Sequence, residues 1–220
     1  LISTGFSIGG GPLFSDKKAL QLMDDEAIKI ANDIGANNIE YRQMNRCHED
    51  WPVKLDTYST FRKELSSDNE ENMLSIPRKQ RAMVRKGIKF GLTYEIDQEI
   101  DRLYHLYALS VRNLGTPVFP KSLFKELKNE YRDDCEILTV ISPEGEAISS
   151  VMSFYFNGEV VPYFGGGGFS ARKYAANDFM YWELMRLSVE QGIKIFDFGR
   201  SKDGAGSYRF KKHWGFSPEP

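Results

Sequence analysis

Six cations and no acid lie between Arg78 and Lys89. Arg78, Arg81, Arg85 and Lys89 recur at three- and four-residue spacing, which on a helix gathers them on one face. Such an unbalanced stripe suits phosphate groups, and each contact adds a salt-sensitive attraction. The plainer alternative is a solvated amphipathic helix whose Met83, Val84 and Ile88 turn to a core. A second cluster lies near the C-terminus. Ile195 to Arg200 alternates as a strand, with Asp197 on one face and Phe196, Phe198 and Arg200 on the other. Ser201 to Tyr208 follows as a flexible loop carrying Lys202 and a phenol. Attack of an amine on an ester or thioester needs a base or anchor for the nucleophile and a donor for the developing oxyanion. Asp197 suits the first role, Arg200 and Lys202 suit an anionic group, and Tyr208 suits the proton for the leaving group. A structural carboxylate explains Asp197 equally well. Lys211 and Lys212 read as surface cations, and Phe210, Trp214 and Phe216 as core.

Two further segments carry polar chemistry. Arg112 and Asn113 could hold an anionic acceptor, or could simply end a helix with Gly115 and Pro117. Gly165 to Gly168 stand ahead of a helical stretch beginning near Asn177. Glycines let a backbone approach a ligand, and bare helix N-terminal amides hold phosphate, which makes Gly166, Gly167 and Asn177 candidate binding residues. The alternatives are a tight strand-to-helix connection and a capping role for Asn177-Asp178. His48, His105 and His213 show no metal-ligand spacing and no Ser or Cys partner, so neither a metal site nor a catalytic triad is expected. Cys135 opens an expected strand and reads as buried. Cys47 lies in an irregular stretch, with nothing to suggest activation.

The bulk numbers narrow the class. The chain has 220 residues, 41% apolar and 27% charged, with a formal charge of −2. That is an ordinary globular composition without the global field needed to hold a polyanion, so any nucleic-acid contact must be local. Two cysteines exclude a disulfide scaffold. No apolar run reaches the roughly 20 residues that span a bilayer, and a cytoplasmic location is the expectation. Oligomeric state is left open.

The elements that must position these residues repeat. Gly9 to Gly11 precede a helical stretch from Asp16 to Ile34, a stop at Gly35 and an alternating run from Asn38 to Arg42. Gly165 to Gly168, the helical stretch to Glu190, Gly192 and the strand Lys194 to Phe198 follow the same order. One shift takes Gly10 onto Gly167, Met23 onto Met180, Gly35 onto Gly192 and Glu40 onto Asp197. A slightly shorter shift brings Tyr58, Phe61, Arg62 and Lys63 near Tyr208, Phe210, Lys211 and Lys212. Duplication is the reading. Residues 1–70 are expected to be the C-terminal part of a first, N-terminally truncated domain, and residues 71–220 a complete second one. The second copy reads as the basic helix, a strand at Leu92 to Ile96, helices at Asp97 to Asn113 and Pro120 to Tyr131, and an antiparallel meander turning at Pro143-Glu144-Gly145 and Asn157-Gly158. The glycines, the long helix and the last strand complete it.

This order gives an α/β (α+β) fold, a mixed and mainly antiparallel sheet flanked by helices, and matches the GNAT acyltransferase fold in tandem. Ile76 to Gly87 resembles the basic helix that opens the second domain of Fem-type aminoacyl transferases. Ser110 to Pro117, Phe196 to Lys202 and Lys211 to Phe216 resemble the bacterial Fem-like proteins associated with exosortase/PEP-CTERM and exopolysaccharide loci. The resemblance spans nearly the whole chain. It implies transfer of an acyl group to an amine or hydroxyl on a cell-envelope, peptidoglycan or polysaccharide precursor. Fem enzymes proper draw on aminoacyl-tRNA, and the resemblance does not extend that donor to this chain; the alternatives are an acetyl-CoA-dependent N-acetyltransferase and a non-catalytic GNAT-like protein that binds a ligand. Acetyl-CoA-dependent relatives usually carry an Arg/Gln-x-x-Gly-x-Gly/Ala signature after the glycine strand. Gly168 to Asn177 echoes it only in Arg172 and Ala175-Ala176, which tilts the expected donor toward aminoacyl-tRNA or another activated acyl group.

Overall fold

Turn chemistry supplied by the chain itself builds the central meander. Gly145 (φ 84°), Asn157 (φ 48°) and Gly158 (φ 77°) take left-handed backbone positions at the two hairpin turns, where glycine and asparagine meet little steric penalty. A computed structural model describes residues 9–55 and 57–219. Contacts divide the chain into two compact units, the larger being Thr57–Glu219.

The smaller unit contains α1 (Lys17–Asp33). The Asp16 carboxylate accepts from Ala19 N at 2.8 Å and caps its start. Gly35, at φ 66°, follows its end. The strand expected at Asn38 to Arg42 is reduced to a single bridge residue, Glu40.

The larger unit runs β1 (Tyr58–Glu64), α2 (Asn69–Ser75), α3 (Arg78–Lys89), β2 (Thr93–Asp97), α4 (Asp101–Asn113) and α5 (Lys121–Tyr131). The meander β3 (Cys135–Ile141), β4 (Ala147–Phe156) and β5 (Glu159–Gly167) follows. Then come α6 (Ala171–Tyr174), α7 (Ala176–Glu190), β6 (Ile195–Lys202), α8 (Gly206–His213) and β7 (Pro218–Glu219). The strands form one sheet in the order β2-β3-β4-β5-β6-β1-β7. Only β5 and β6 are parallel. β1 lies before residue 71, yet it pairs with β6 in this sheet. It is a strand, whereas the segment it echoes, Tyr208 to Lys212, lies in α8.

Alternation along the strands sends side chains to two cores. Leu138, Val151, Val160, Phe196 and Phe198 pack with Val84 of α3 and with Phe179, Met180 and Leu184 of α7. Ile137, Met152 and Phe164 point the other way and pack with Leu103 of α4 and Phe124 of α5. In the first core, α3 crosses α7 so closely that a methyl on Gly87 would come within 2.9 Å of Phe179 Cβ. Val84 and Gly87 are therefore the buried positions of α3, and Ile88, expected there, is exposed. The buried Asp178 carboxylate accepts from Gln80 of α3 and from Trp214 Nε1 at 3.2 Å, tying three segments together.

The glycines after Phe164 are not a loop, because β5 continues through Gly167. At Gly166 the missing side chain admits a neighbouring helix. A methyl on Gly166 would lie 2.6 Å from Leu106 O and 2.7 Å from Tyr107 Cα, so α4 rests directly on this stretch of backbone. One on Gly168 would meet nothing nearer than 3.5 Å. Gly166→Ala is expected to destabilise the chain by about 1–3 kcal/mol through overpacking. Gly168→Ala should stay within about 0.5 kcal/mol of the parent, and urea unfolding of the two variants checks the contrast.

Candidate functional site

The parallel pair β5–β6 is joined only at Glu159↔Ile195 and Val160↔Phe196. Beyond these pairs β5 stays on β4 as far as Gly167 and β6 stays on β1 as far as Lys202, so the two strands part. The walls of the opening are Val161 to Gly167 on one side and Asp197 to Lys202 on the other.

Asp197 stands where the parting begins. Its Oδ1 accepts from Gly199 N at 2.6 Å, and its Oδ2 lies 3.5 Å from Arg62 Nε. Arg62 also pairs with Glu159, so a carboxylate–guanidinium–carboxylate row crosses β5, β1 and β6. Burial pushes the Asp197 carboxyl above the usual carboxylate range, and Glu159 adds to the rise; the Gly199 N–H, Arg62 and Lys211 offset part of it. Gly199, at φ 67°, bulges the strand, and the register slips between Thr60 and Arg62. The bulge reverses the expected alternation. Arg62 opposes Asp197 and Thr60 opposes Arg200, so Arg200 joins Asp197 on one face instead of sharing the face of Phe196 and Phe198. Its guanidinium lies 4.4 Å from the centre of the Tyr58 ring. Lys202 is exposed opposite Tyr58.

Lys211, read from sequence as a surface cation, is buried. Ser201-Lys202 ends β6, and Gly206 to His213 is helix α8 rather than a loop. The Lys211 ammonium donates to Gly199 O at 2.9 Å and Arg200 O at 3.1 Å, on the wall of the opening, and lies 5.5 Å from the centre of the Phe61 ring. Burial pushes its pKa down from 10.5 to about 8, with Asp197 pulling the other way. Helical spacing carried the missed signal: Tyr208, Lys211 and Trp214 recur every third residue, and that face is the packed one. Tyr208 lays its ring edge-on to Phe61 at 5.2 Å. Phe61 alternates with Arg62, so Tyr208 and Asp197 lie on opposite faces of the sheet and do not meet.

The other candidates are distributed around the larger unit. Asn177 is not a helix cap. Ala175 (φ 55°) precedes α7, and Asn177 Oδ1 in the first turn accepts from the buried Ser149 hydroxyl at 2.6 Å, beside Gly167. Arg78, Arg81 and Arg85 line a surface concavity with Lys86 and Lys89, and no acid pairs with these three arginines among the described residues. Arg112 and Asn113 end α4 on the surface, where Gly115 (φ 71°) takes the left-handed turn. No group of three or more His, Cys, Asp or Glu could hold a metal ion among the described residues. His48 does have partners, Cys47 and Asp24, against the expectation from sequence.

Lys211 makes a pH-dependent contribution whose sign is set by its lowered pKa. Below about 8 the folded chain bears the whole cost of the buried charge. From there up to the usual lysine range the unfolded chain binds more protons, so stability rises with pH. Lys211→Met should remove this part of the rise, which urea unfolding of both proteins between pH 7 and 10 measures.

Comparison with known proteins agrees with this architecture. The acetyltransferase (GNAT) domain family matches residues 75–212. No curated protein matches the sequence. Among solved structures, FemX superposes with a TM-score of 0.71 at 15% identity, covering 93% of this chain and 75% of FemX. The C-terminal DUF2156 domain of a protein from Agrobacterium fabrum, provisionally named a lysylphosphatidylglycerol synthetase, gives 0.67 at 14% identity over 94% of this chain and 73% of its own. L-PGS from Bacillus licheniformis gives 0.59 at 16%, with 93% and 72% covered. At these identities the likeness is one of fold. With the family matched over most of its larger unit and the parted parallel strands in place, the chain belongs to the GNAT acetyltransferase domain family, whose chemistry is acyl transfer.

Proposed function

We propose that the chain transfers an acyl or aminoacyl group to an amine or hydroxyl of a cell-envelope or exopolysaccharide precursor, in the opening between β5 and β6. The observation that carries this reading is the buried Lys211 ammonium, held on the carbonyls of Gly199 and Arg200 from the Phe61 face of the sheet, while Asp197 lies on the other face of the same strand, so the two groups flank the opening. A cation fixed beside a strand edge is placed to meet the oxygen that gains charge when the donor carbonyl is attacked. Asp197, shifted toward protonation by burial, is suited to take the proton of an incoming amine. As the carbon–nitrogen bond forms and the ester or thioester bond breaks, Lys211 supplies a proton to the leaving oxygen or sulfur. Arg200, Lys202, Arg112 and Asn113 remain the candidates for an anionic acceptor.

The Fem-like resemblance and the fold shared with FemX favour an envelope precursor as acceptor. The cations Arg78, Arg81 and Arg85, which have no acidic partner among the described residues, favour a donor or acceptor bearing phosphates, such as aminoacyl-tRNA or a nucleotide-linked precursor. An aminoacyl-tRNA donor favours a cytoplasmic reaction. The second reading is acetyl transfer from acetyl-CoA, favoured by the matched family's description. We also read the smaller unit as the C-terminal part of a first GNAT-like domain, a reading supported by α1 standing between a glycine run and Gly35 as α7 stands between Gly168 and Gly192.

Thermal unfolding with acetyl-CoA, coenzyme A, aminoacyl-tRNA and a nucleotide-sugar at one ionic strength tests the donor, because a ligand of the folded state raises the midpoint. The expected result is stabilisation by the tRNA or nucleotide-sugar, fading with salt and with Arg81→Ala/Arg85→Ala. Stabilisation by coenzyme A species alone would transfer the assignment to the acetyl reading. With any active donor, Lys211→Met should lower kcat about 100-fold. In the parent chain kcat should fall as pH rises through about 8.

A further inference from the structure

The smaller unit holds a second chemical centre, built on different residues from the β5–β6 opening. His48 Nε2 lies 2.7 Å from Asp24 Oδ2 and His48 Nδ1 lies 2.9 Å from Cys47 Sγ. The carboxylate accepts from Nε2–H and so fixes the tautomer whose Nδ1 lone pair faces the thiol. Tyr41 donates to the other carboxylate oxygen at 2.9 Å, and burial together with Asp24 pushes its pKa up to about 12, so it stays a donor. Asp24 is buried on α1, while Cys47 is partly exposed and open to a substrate.

The surroundings hold this row in place. Trp51 stacks on the His48 ring at 4.1 Å and 17°, covering one side of the imidazole. Arg46 donates to the carbonyls of His48 (2.7 Å) and Trp51 (3.4 Å) and so fixes the turn that carries the pair. Gln43 Nε2 points at Cys47 Sγ from 2.7 Å. Its amide has room because position 11 is glycine, where a methyl would come within 2.7 Å of Gln43 Oε1. A metal does not explain the arrangement. The thiol and the carboxylate sit on opposite nitrogens of one ring and cannot converge on a single ion, and no metal-ligand group occurs among the described residues.

We propose that Cys47, His48 and Asp24 form a nucleophilic thiol site that accepts acyl groups from activated esters or thioesters, with Gln43 as the donor to the oxyanion. His48 Nδ1 takes the thiol proton as the sulfur–carbon bond forms. The tetrahedral intermediate then collapses, the ester carbon–oxygen or thioester carbon–sulfur bond breaks, and the imidazolium returns the proton to the leaving alcohol or thiol. The product is S-acyl Cys47, from which water or an amine can take the acyl group through the same imidazole. Oriented base and donor amide are the parts such a step requires. This inference does not rest on the transferase reading of the larger unit.

The test uses the full chain and p-nitrophenyl acetate at neutral pH, following nitrophenolate release and locating the acetyl group by peptide mass. The expected result is a burst of one equivalent with the acetyl group on Cys47, at least about tenfold faster than in the urea-unfolded chain, in line with the usual contribution of a positioned base. The burst should vanish in Cys47→Ala and slow at least about tenfold in His48→Ala and Asp24→Asn. Hydrogen exchange of the α1 amides, Lys17–Asp33, shows whether the smaller unit of each variant stays folded. Acylation of Cys47 at the same rate in native and unfolded chains overturns the proposal. So does a folded His48→Ala or Asp24→Asn that keeps the parent rate. The native-against-urea comparison needs no variant and decides even if every substitution unfolds the chain.

Discussion

Past Val160 and Phe196 two neighbouring parallel strands stop pairing, and most of the larger unit is arranged to tolerate that break. Main-chain N–H and C=O groups taken from water need partners, so a sheet parts only where other contacts hold its two halves. β4 holds β5 along its whole length, and α4 presses onto the Gly166 backbone from one side. β1 holds β6, and α8 sends the Lys211 ammonium to two of its carbonyls. On the face shared by α3 and α7, a continuous core from Leu138 to Phe198 spans both halves and keeps them from separating further. The opening is thus maintained by close packing on either side of it.

The charges around the opening follow from the same geometry. Burial lowers the Lys211 pKa and raises that of Asp197, moving both groups from their solution values toward neutral pH, while their mutual attraction limits each shift. Groups displaced in this way are expected where protons are exchanged. Asp178 is also buried, but its carboxylate is taken up by Gln80 and Trp214, which makes it a junction between α3, α7 and the C-terminal segment. Burial alone does not separate a working carboxylate from a structural one; the neighbours do.

The smaller unit gains its definition from side chains more than from regular structure. One helix supplies Asp24, and the following irregular stretch is fixed by Arg46 on its own carbonyls and by the Tyr41–Trp51–His48 ring stack. Such a segment has few ladder bonds to set its shape, so a polar row from Cys47 to Tyr41 also acts as its framework.

Local rules were enough for much of this protein. Periodicity and turn residues placed α3, α5 and the two turns of the meander at or near their observed positions, because each is decided by neighbours a few residues away: Asn157-Gly158 favours a hairpin where it falls between strands. The cationic stripe on α3 was legible for the same reason. Contacts between distant segments decided the rest. Gly166, expected in a ligand-approaching loop, lies in β5 under α4, and Ile88, expected in the core, is exposed because α7 packs against Gly87. A bulge of one residue at Gly199 moved Arg200 to the face of Asp197, a change no alternation pattern records. Lys211 and the Cys47–His48–Asp24 row depend on which remote atoms fold against them, and hydrogen bonds between positions far apart in the chain leave no trace in local spacing.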